Sequence, residues 1–173
     1  AQSAPQNTWG LCIGIAEYDP QSLSLKWSDK DASEFSTFLR YGLKLPESNY
    51  RIIRNRNATR ENILESFGWL SMIAGPKDRV YIFYSGHGKQ SSPFLPHDSD
   101  NLLSLEQIKK ALRKIDAHEV IVFADACYSG KLAGKGVKAV LEREQLTGLS
   151  KGVVDEMGKA KTGVMIMTSA TGI

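Results

Sequence analysis

The stretch "YIFYSGHGKQ", residues 81–90, and its counterpart "VIVFADACYSGKL", residues 120–132, decide how this chain reads. Each is a strand-sized apolar run, rich in β-branched and aromatic residues, that stops at a small-residue turn carrying one reactive side chain: His87 in the first, Cys127 in the second. Outward from these, similar runs stand at 9–18 ("WGLCIGIAEY"), 50–55 ("YRIIRN") and 163–170 ("GVMIMTSA"), and helical patterns alternate with them. Ser28 and Asp31 have capping-box spacing ahead of a face made by Ala32, Phe35, Phe38, Leu39 and Gly42. Thr59 is placed to cap a helix striped with Ile63, Phe67, Leu70 and Ile73, and Ser104 with Gln107 forms a further capping box before Leu105, Ile108, Leu112 and Ile115. Continuous apolar strands alternating with helices predict an α/β fold, a three-layer α/β/α sandwich around a mostly parallel sheet.

Composition narrows the function classes. The 173 residues suit one domain with a full core. The 22 basic and 19 acidic residues are scattered, without the basic and aromatic interleaving that a nucleic-acid partner would call for. No apolar run approaches the roughly 18 residues of a membrane span. Two cysteines, Cys12 and Cys127, make no disulfide framework, and a reducing, cytoplasmic compartment is the simpler reading. The start "AQSAPQ" fits a trimmed chain and a mature secreted one equally.

In parallel sheets ligands bind in the crevice at the carboxyl ends of the strands. His87 and Cys127 lie just past the carboxyl ends of the third and fourth strands, and consecutive strands joined by one helix are usually neighbours, so the two side chains are expected to meet. An imidazole beside a thiol lowers its pKa or shuttles its proton, and the flanking Gly86, Gly88 and Gly130 let backbone approach a substrate closely. The amides of Gly88 and Cys127 can then face a developing oxyanion. Blander readings apply elsewhere: Cys12 in mid-strand is a small buried hydrophobe, His118 is structural, and His97 is solvent-exposed. A zinc site from His87, His97 and Cys127 lacks a fourth ligand and metal-type spacing, and "GLCIGI" lacks the third glycine of a dinucleotide loop.

"YSGHG" and "DACYSG", together with "GLCIGIAEY" and "LKWSDKDASEF", resemble the caspase-like cysteine peptidases, most closely the metacaspases and their bacterial relatives. The resemblance implies a caspase-like fold over 1–173, with a large-subunit-like core to about 130, a linker-like segment at 131–162 and the first strand of a small-subunit-like part at 163–173. It further implies a His87/Cys127 dyad acting on protein or peptide substrates, an oxyanion hole from Gly88 and Cys127, and no metal or organic cofactor in the chemistry. The family normally continues past this last strand, so a small subunit or further segment of the same precursor is an implied partner. Asp98 and Asp100 match part of a family calcium cluster, but Leu105 and Glu106 stand where paired acids are expected, which argues against a calcium requirement.

Two acids bear on specificity. Asp125 is two residues before Cys127 and so points to the same side of an extended strand, while Asp31 falls on a helix's opening turn at the same sheet edge. In the metacaspase pattern these acids line the primary specificity pocket, to which Ser85 is also assigned, and two carboxylates there would select Arg or Lys and not Asp. Self-cleavage is expected in the Lys-, Arg- and Gly-rich segment 131–161, after Lys135, Lys138, Arg143, Lys151, Lys159 or Lys161.

Overall fold

A computed structural model describes residues 5–126 and 164–168. Its five strands are β1 (Thr8–Gly14), β2 (Tyr50–Arg54), β3 (Arg79–Gly86), β4 (Glu119–Ala126) and β5 (Val164–Thr168), joined in the order β2-β1-β3-β4-β5 with every pairing parallel. Three α-helices are seen among the described residues: α1 (Ser28–Thr37), α2 (Arg60–Ile73) and α3 (Leu105–Lys114). The linker-like segment 131–162 lies outside the described residues.

The strand order explains the layers. From β1 the chain steps outward to β2, then reverses over β1 to β3 and continues to β4. Parallel crossovers are right-handed, so a reversal of direction moves the connecting helix to the opposite face of the sheet. Accordingly Ala32 and Leu39 pack on Cys12 on one face, with Phe35 stacked on Phe83 at a ring separation of 4.6 Å. On the other face Ile63, Phe67 and Leu70 of α2 and Ile108 and Leu112 of α3 pack on Leu11, Ile13, Val80, Ile82, Val120 and Val122. Each large apolar side chain so buried contributes roughly 1.5–3 kcal/mol. The reversal also creates a switch point at the carboxyl ends of β1 and β3, the place in such sheets where functional groups gather.

Helix α1 lies close against the sheet. A Cβ on Gly14 would stand 2.3 Å from the Ser28 carbonyl oxygen and 2.6 Å from the Ala32 Cβ, so only glycine lets the first turn of α1 rest on β1. This contact overrides the expected capping box. The cap position belongs to Trp27, with no side-chain hydrogen bond, while Ser28 is the first helical residue, buried, its hydroxyl without a partner among the described residues. The other caps form as read: Thr59 accepts from the Asn62 amide, and Ser104 and Gln107 make the reciprocal box.

The expected apolar face of α1 is also shortened. Past Thr37 the chain widens into a π turn, Phe38–Gly42, closed by the Leu43 amide donating to the Phe38 carbonyl. Leu39 stays inward, but the change of pitch turns Phe38 outward to 48% exposure. β1 ends at Gly14, four residues short of the expected run, because the Ala16 and Glu17 amides leave the ladder and donate to the Asn55 side-chain oxygen instead.

Candidate functional site

His87 follows the last residue of β3 and is fully buried at the switch point. Its position is fixed from several directions. The His87 amide donates to the Tyr18 hydroxyl at 2.8 Å, the Tyr84 hydroxyl donates to the His87 carbonyl, and the Leu95 amide donates to the same carbonyl at 3.0 Å. The imidazole lies against the Tyr18 ring, centroids 4.9 Å apart. Its Nε2 is 2.7 Å from the Leu23 carbonyl oxygen. A carbonyl can only accept, so Nε2 carries the proton and Nδ1 carries the lone pair. Nδ1 is buried and has no partner among the described residues.

Burial lowers the His87 pKa, the Leu23 hydrogen bond raises it, and the Lys89 charge lowers it; the net direction is down. The ring is therefore neutral near pH 7. Its Nε2 is occupied, and its Nδ1 is open as far as the described residues reach.

On the α1 face of the sheet a second group converges. Ser85 and Asp125 are partners in the parallel register of β3 and β4. Asp125 shares its face with Phe123, which touches Phe35 of α1, by the period of two along a strand. The Ser85 hydroxyl donates to the Asp31 carboxylate at 3.0 Å, joining α1 to the strands. Burial raises the Asp31 pKa, the Ser85 bond lowers it, and the charges of Asp125, Glu34 and Asp29 raise it, for a net rise. Two carboxylates thus sit near each other, an arrangement that a cation relieves.

Neighbouring loops brace this group. Asn55, held in the left-handed region at φ 50, donates to the Asp29 carboxylate at 3.2 Å while its oxygen binds the Ala16 and Glu17 amides.

The structure therefore brings Asp31, Ser85 and Asp125 together and places His87 two residues beyond Ser85. Ala126, the last described residue of β4, pairs with Gly86, the residue before His87. Cys127 is next in sequence and lies outside the described residues, as does Gly130. Gly88 is buried directly after His87. Cys12 is a buried free thiol whose pKa burial pushes up to about 12.

Two histidine readings need correction. His97 is half-buried, its Nδ1 2.7 Å from the Glu17 carbonyl oxygen, because the loop after β3 folds back on the loop after β1. The His118 ring is exposed, and only its backbone amide has a structural part, donating to the Asp78 carbonyl. Sequence reasoning missed the Leu23 carbonyl, a backbone group without residue signature, and Tyr18, whose only sign was an aromatic at the end of the first apolar run.

Asp98 accepts from the Arg60 amide and from the Asn101 side chain, and Asp100 is exposed. No group of three or more His, Cys, Asp or Glu among the described residues is arranged to hold a metal ion. No helix among them is long and apolar enough to cross a membrane.

A family model described as the caspase domain matches residues 8–172. Metacaspase-1 of Cryptococcus neoformans is 39% identical over 97 residues, 53% of this chain and 21% of that protein. Metacaspase-1A of Aspergillus oryzae is 33% identical over 97 residues, 53% of this chain and 23% of its own length. The chain thus spans about a fifth of the length of these curated relatives. A crystal structure of a Geobacter sulfurreducens protein superposes with a TM-score of 0.58 at 19% identity, covering 89% of this chain and 61% of the other, a likeness of fold.

Proposed function

The chain belongs to the caspase domain family, and on that premise we propose that it is a cysteine endopeptidase using His87 and Cys127 as a dyad and cleaving after Arg or Lys. The observation that carries the proposal is the buried Nδ1 of His87, without a partner among the described residues while Nε2 is held by the Leu23 carbonyl. A base fixed in this tautomer takes a proton at one atom only. In the proposed reaction the Cys127 thiol gives its proton to Nδ1 as the sulfur attacks the substrate carbonyl carbon. The amides of Gly88 and Cys127 face the resulting oxyanion. Collapse breaks the C–N bond, His87 returns the proton to the leaving amine, and water hydrolyses the thioester.

The lowered pKa of His87 supports a neutral base at rest, so activity should fall as pH drops through that value, below the ordinary 6.5 or so. For specificity, the convergence of Asp31 and Asp125 around Ser85 supports a basic residue before the scissile bond, Arg being suited to two carboxylates through a bidentate fork. The same preference would act on the protein's own Lys- and Arg-rich segment 131–161.

Reporter peptides ending in Arg, Lys and Asp, assayed with wild type, Cys127→Ala, His87→Ala, Asp31→Asn and Asp125→Asn, test the reading. Loss in the first two variants and selective loss of Arg and Lys cleavage in the last two are expected. Preferred cleavage after Asp would overturn the pocket, and wild-type turnover in Cys127→Ala would overturn the dyad. Intact masses of wild type and Cys127→Ala after incubation test self-processing, identical masses being the contrary result.

A further inference from the structure

We infer that Tyr18 is the positioning residue for His87: its hydroxyl holds the histidine backbone and its ring holds the imidazole, so the loop after β1 determines where Nδ1 points. The inference rests on the reading of His87 as the proton acceptor.

A histidine at the start of a loop has two free side-chain torsions, and a general base must be held within a few tenths of an ångström of its working geometry. β3 supplies neither constraint by itself, since His87 is already past its last residue. The loop after β1 supplies both. Its Tyr18 hydroxyl accepts from the His87 amide at 2.8 Å and faces the Leu95 carbonyl at 3.5 Å. Its Tyr18 ring lies 4.9 Å from the imidazole at 45°. Its Leu23 carbonyl fixes the tautomer, and the Tyr18 amide donates to the Ser24 hydroxyl at 3.2 Å, tying the ring to the segment that carries that carbonyl.

Tyr84 closes the arrangement from the sheet by donating to the His87 carbonyl. Gly86 leaves room for both phenols, since a Cβ there would stand 2.6 Å from the Tyr18 oxygen and 2.7 Å from the Tyr84 oxygen. Among the described residues, the groups acting on the imidazole are Tyr18, the Leu23 carbonyl and the charge of Lys89.

Replacing Tyr18 by Phe keeps the ring and removes the acceptor, leaving the buried His87 amide unpaired. Replacing it by Ala also admits water to the imidazole. Tyr18→Phe is expected to lower kcat about 10-fold, with KM for an Arg reporter and the acid limb of the pH profile unchanged. Tyr18→Ala is expected to lower kcat about 100-fold and to move the acid limb upward toward about 6.5.

Undiminished kcat in Tyr18→Phe overturns the inference, as does a Tyr18→Ala loss carried by KM with the acid limb in place. If either variant fails to fold, Ser24→Ala decides: a severalfold loss in kcat supports the role and wild-type kcat overturns it. An active His87→Ala would fail the dyad itself, whereas an inactive His87→Ala beside an undiminished Tyr18→Phe would fail the positioning role alone.

Discussion

Two carboxylates stand at opposite ends of the same parallel sheet and are treated in opposite ways. Asp78, buried just before β3 at the amino edge, accepts from the Asn7 amide and side chain, the Trp9 indole and the Gly75 amide, all within 3.1 Å. Burial pushes its pKa up, but those four donors outweigh burial and hold it below the ordinary value. Beside it the Arg79–Glu119 ion pair closes at 2.6 Å. Asp31, at the carboxyl edge, has the Ser85 donor and the charge of Asp125 nearby, and its pKa is raised. One edge favours the charged carboxylate and the other disfavours it. A carboxylate held above its ordinary pKa beside another is eased by a nearby cation, and the proposed preference for a basic substrate residue rests on that difference between the edges.

The contrast can be broken first at His87. His87→Ala should lower kcat by about 10³-fold or more, with Cys127→Ala adding no further loss in the double variant, as the proposed dyad requires of two groups acting as a unit. Steady-state assays together with a thermal melt check this, and a melt collapsing in step with activity would count against separate roles for the two edges. Next in size is Asp78→Ala, which strands four donors at the amino edge. It should cost about 3 kcal/mol of stability while leaving kcat/KM near wild type wherever the variant is folded. Denaturant titration measures the first quantity.

Asp31→Asn should do the reverse. Arg-peptide kcat/KM should fall about 30-fold, close to 2 kcal/mol, while the melting temperature rises, since the variant removes a carboxylate held near another. A fall in both would show that Asp31 is structural after all.

Smaller again is the pH dependence, whose sign differs between the edges. Asp78, with its folded pKa lowered, contributes stability that is present above its unfolded value of about 3.9 and lost as pH falls through the folded one. Asp31, with its folded pKa raised, contributes stability that is present below about 3.9 and lost as pH rises through the folded one. Urea midpoints between pH 3 and pH 6 should therefore show a steeper rise with pH for Asp31→Asn than for wild type, and a shallower one for Asp78→Asn. Parallel curves for all three proteins would dissolve the contrast.

Much of this architecture is legible in the sequence, for physical reasons. The runs 81–85 and 120–124 are apolar at nearly every position because both faces of a central parallel strand are covered, so neither face needs to suit water. Ser104 with Gln107 reads as a cap and forms one because both halves of the box come from the same turn. Ser28 with Asp31 has the same spacing, yet the closeness of β1 at Gly14 buries Ser28 and turns Asp31 toward Ser85; a local motif cannot reveal a contact made by a distant strand. Phe38 leaves its expected face because a π turn changes the helical period without a residue signature. Asp31 and Asp125 can be placed at one edge because one stands on the opening turn of α1 and the other near the end of β4, while their grouping with Ser85 follows from the family resemblance. Leu23 acts through its main chain, and no side-chain pattern announces that.

Cys12 is a buried thiol with its pKa near 12, in the middle of a strand flanked by β2 and β3. In the folded state it is closed to alkylating reagents, which need an exposed thiolate. In Cys127→Ala, whose remaining thiol is Cys12, an alkyl group counted by intact mass can therefore be added only after the centre of the sheet has come apart. The chain carries its own clock for global opening: the rate at which Cys12 becomes modified in that variant reports how often the sheet is breached, without denaturant and without reference to peptide cleavage.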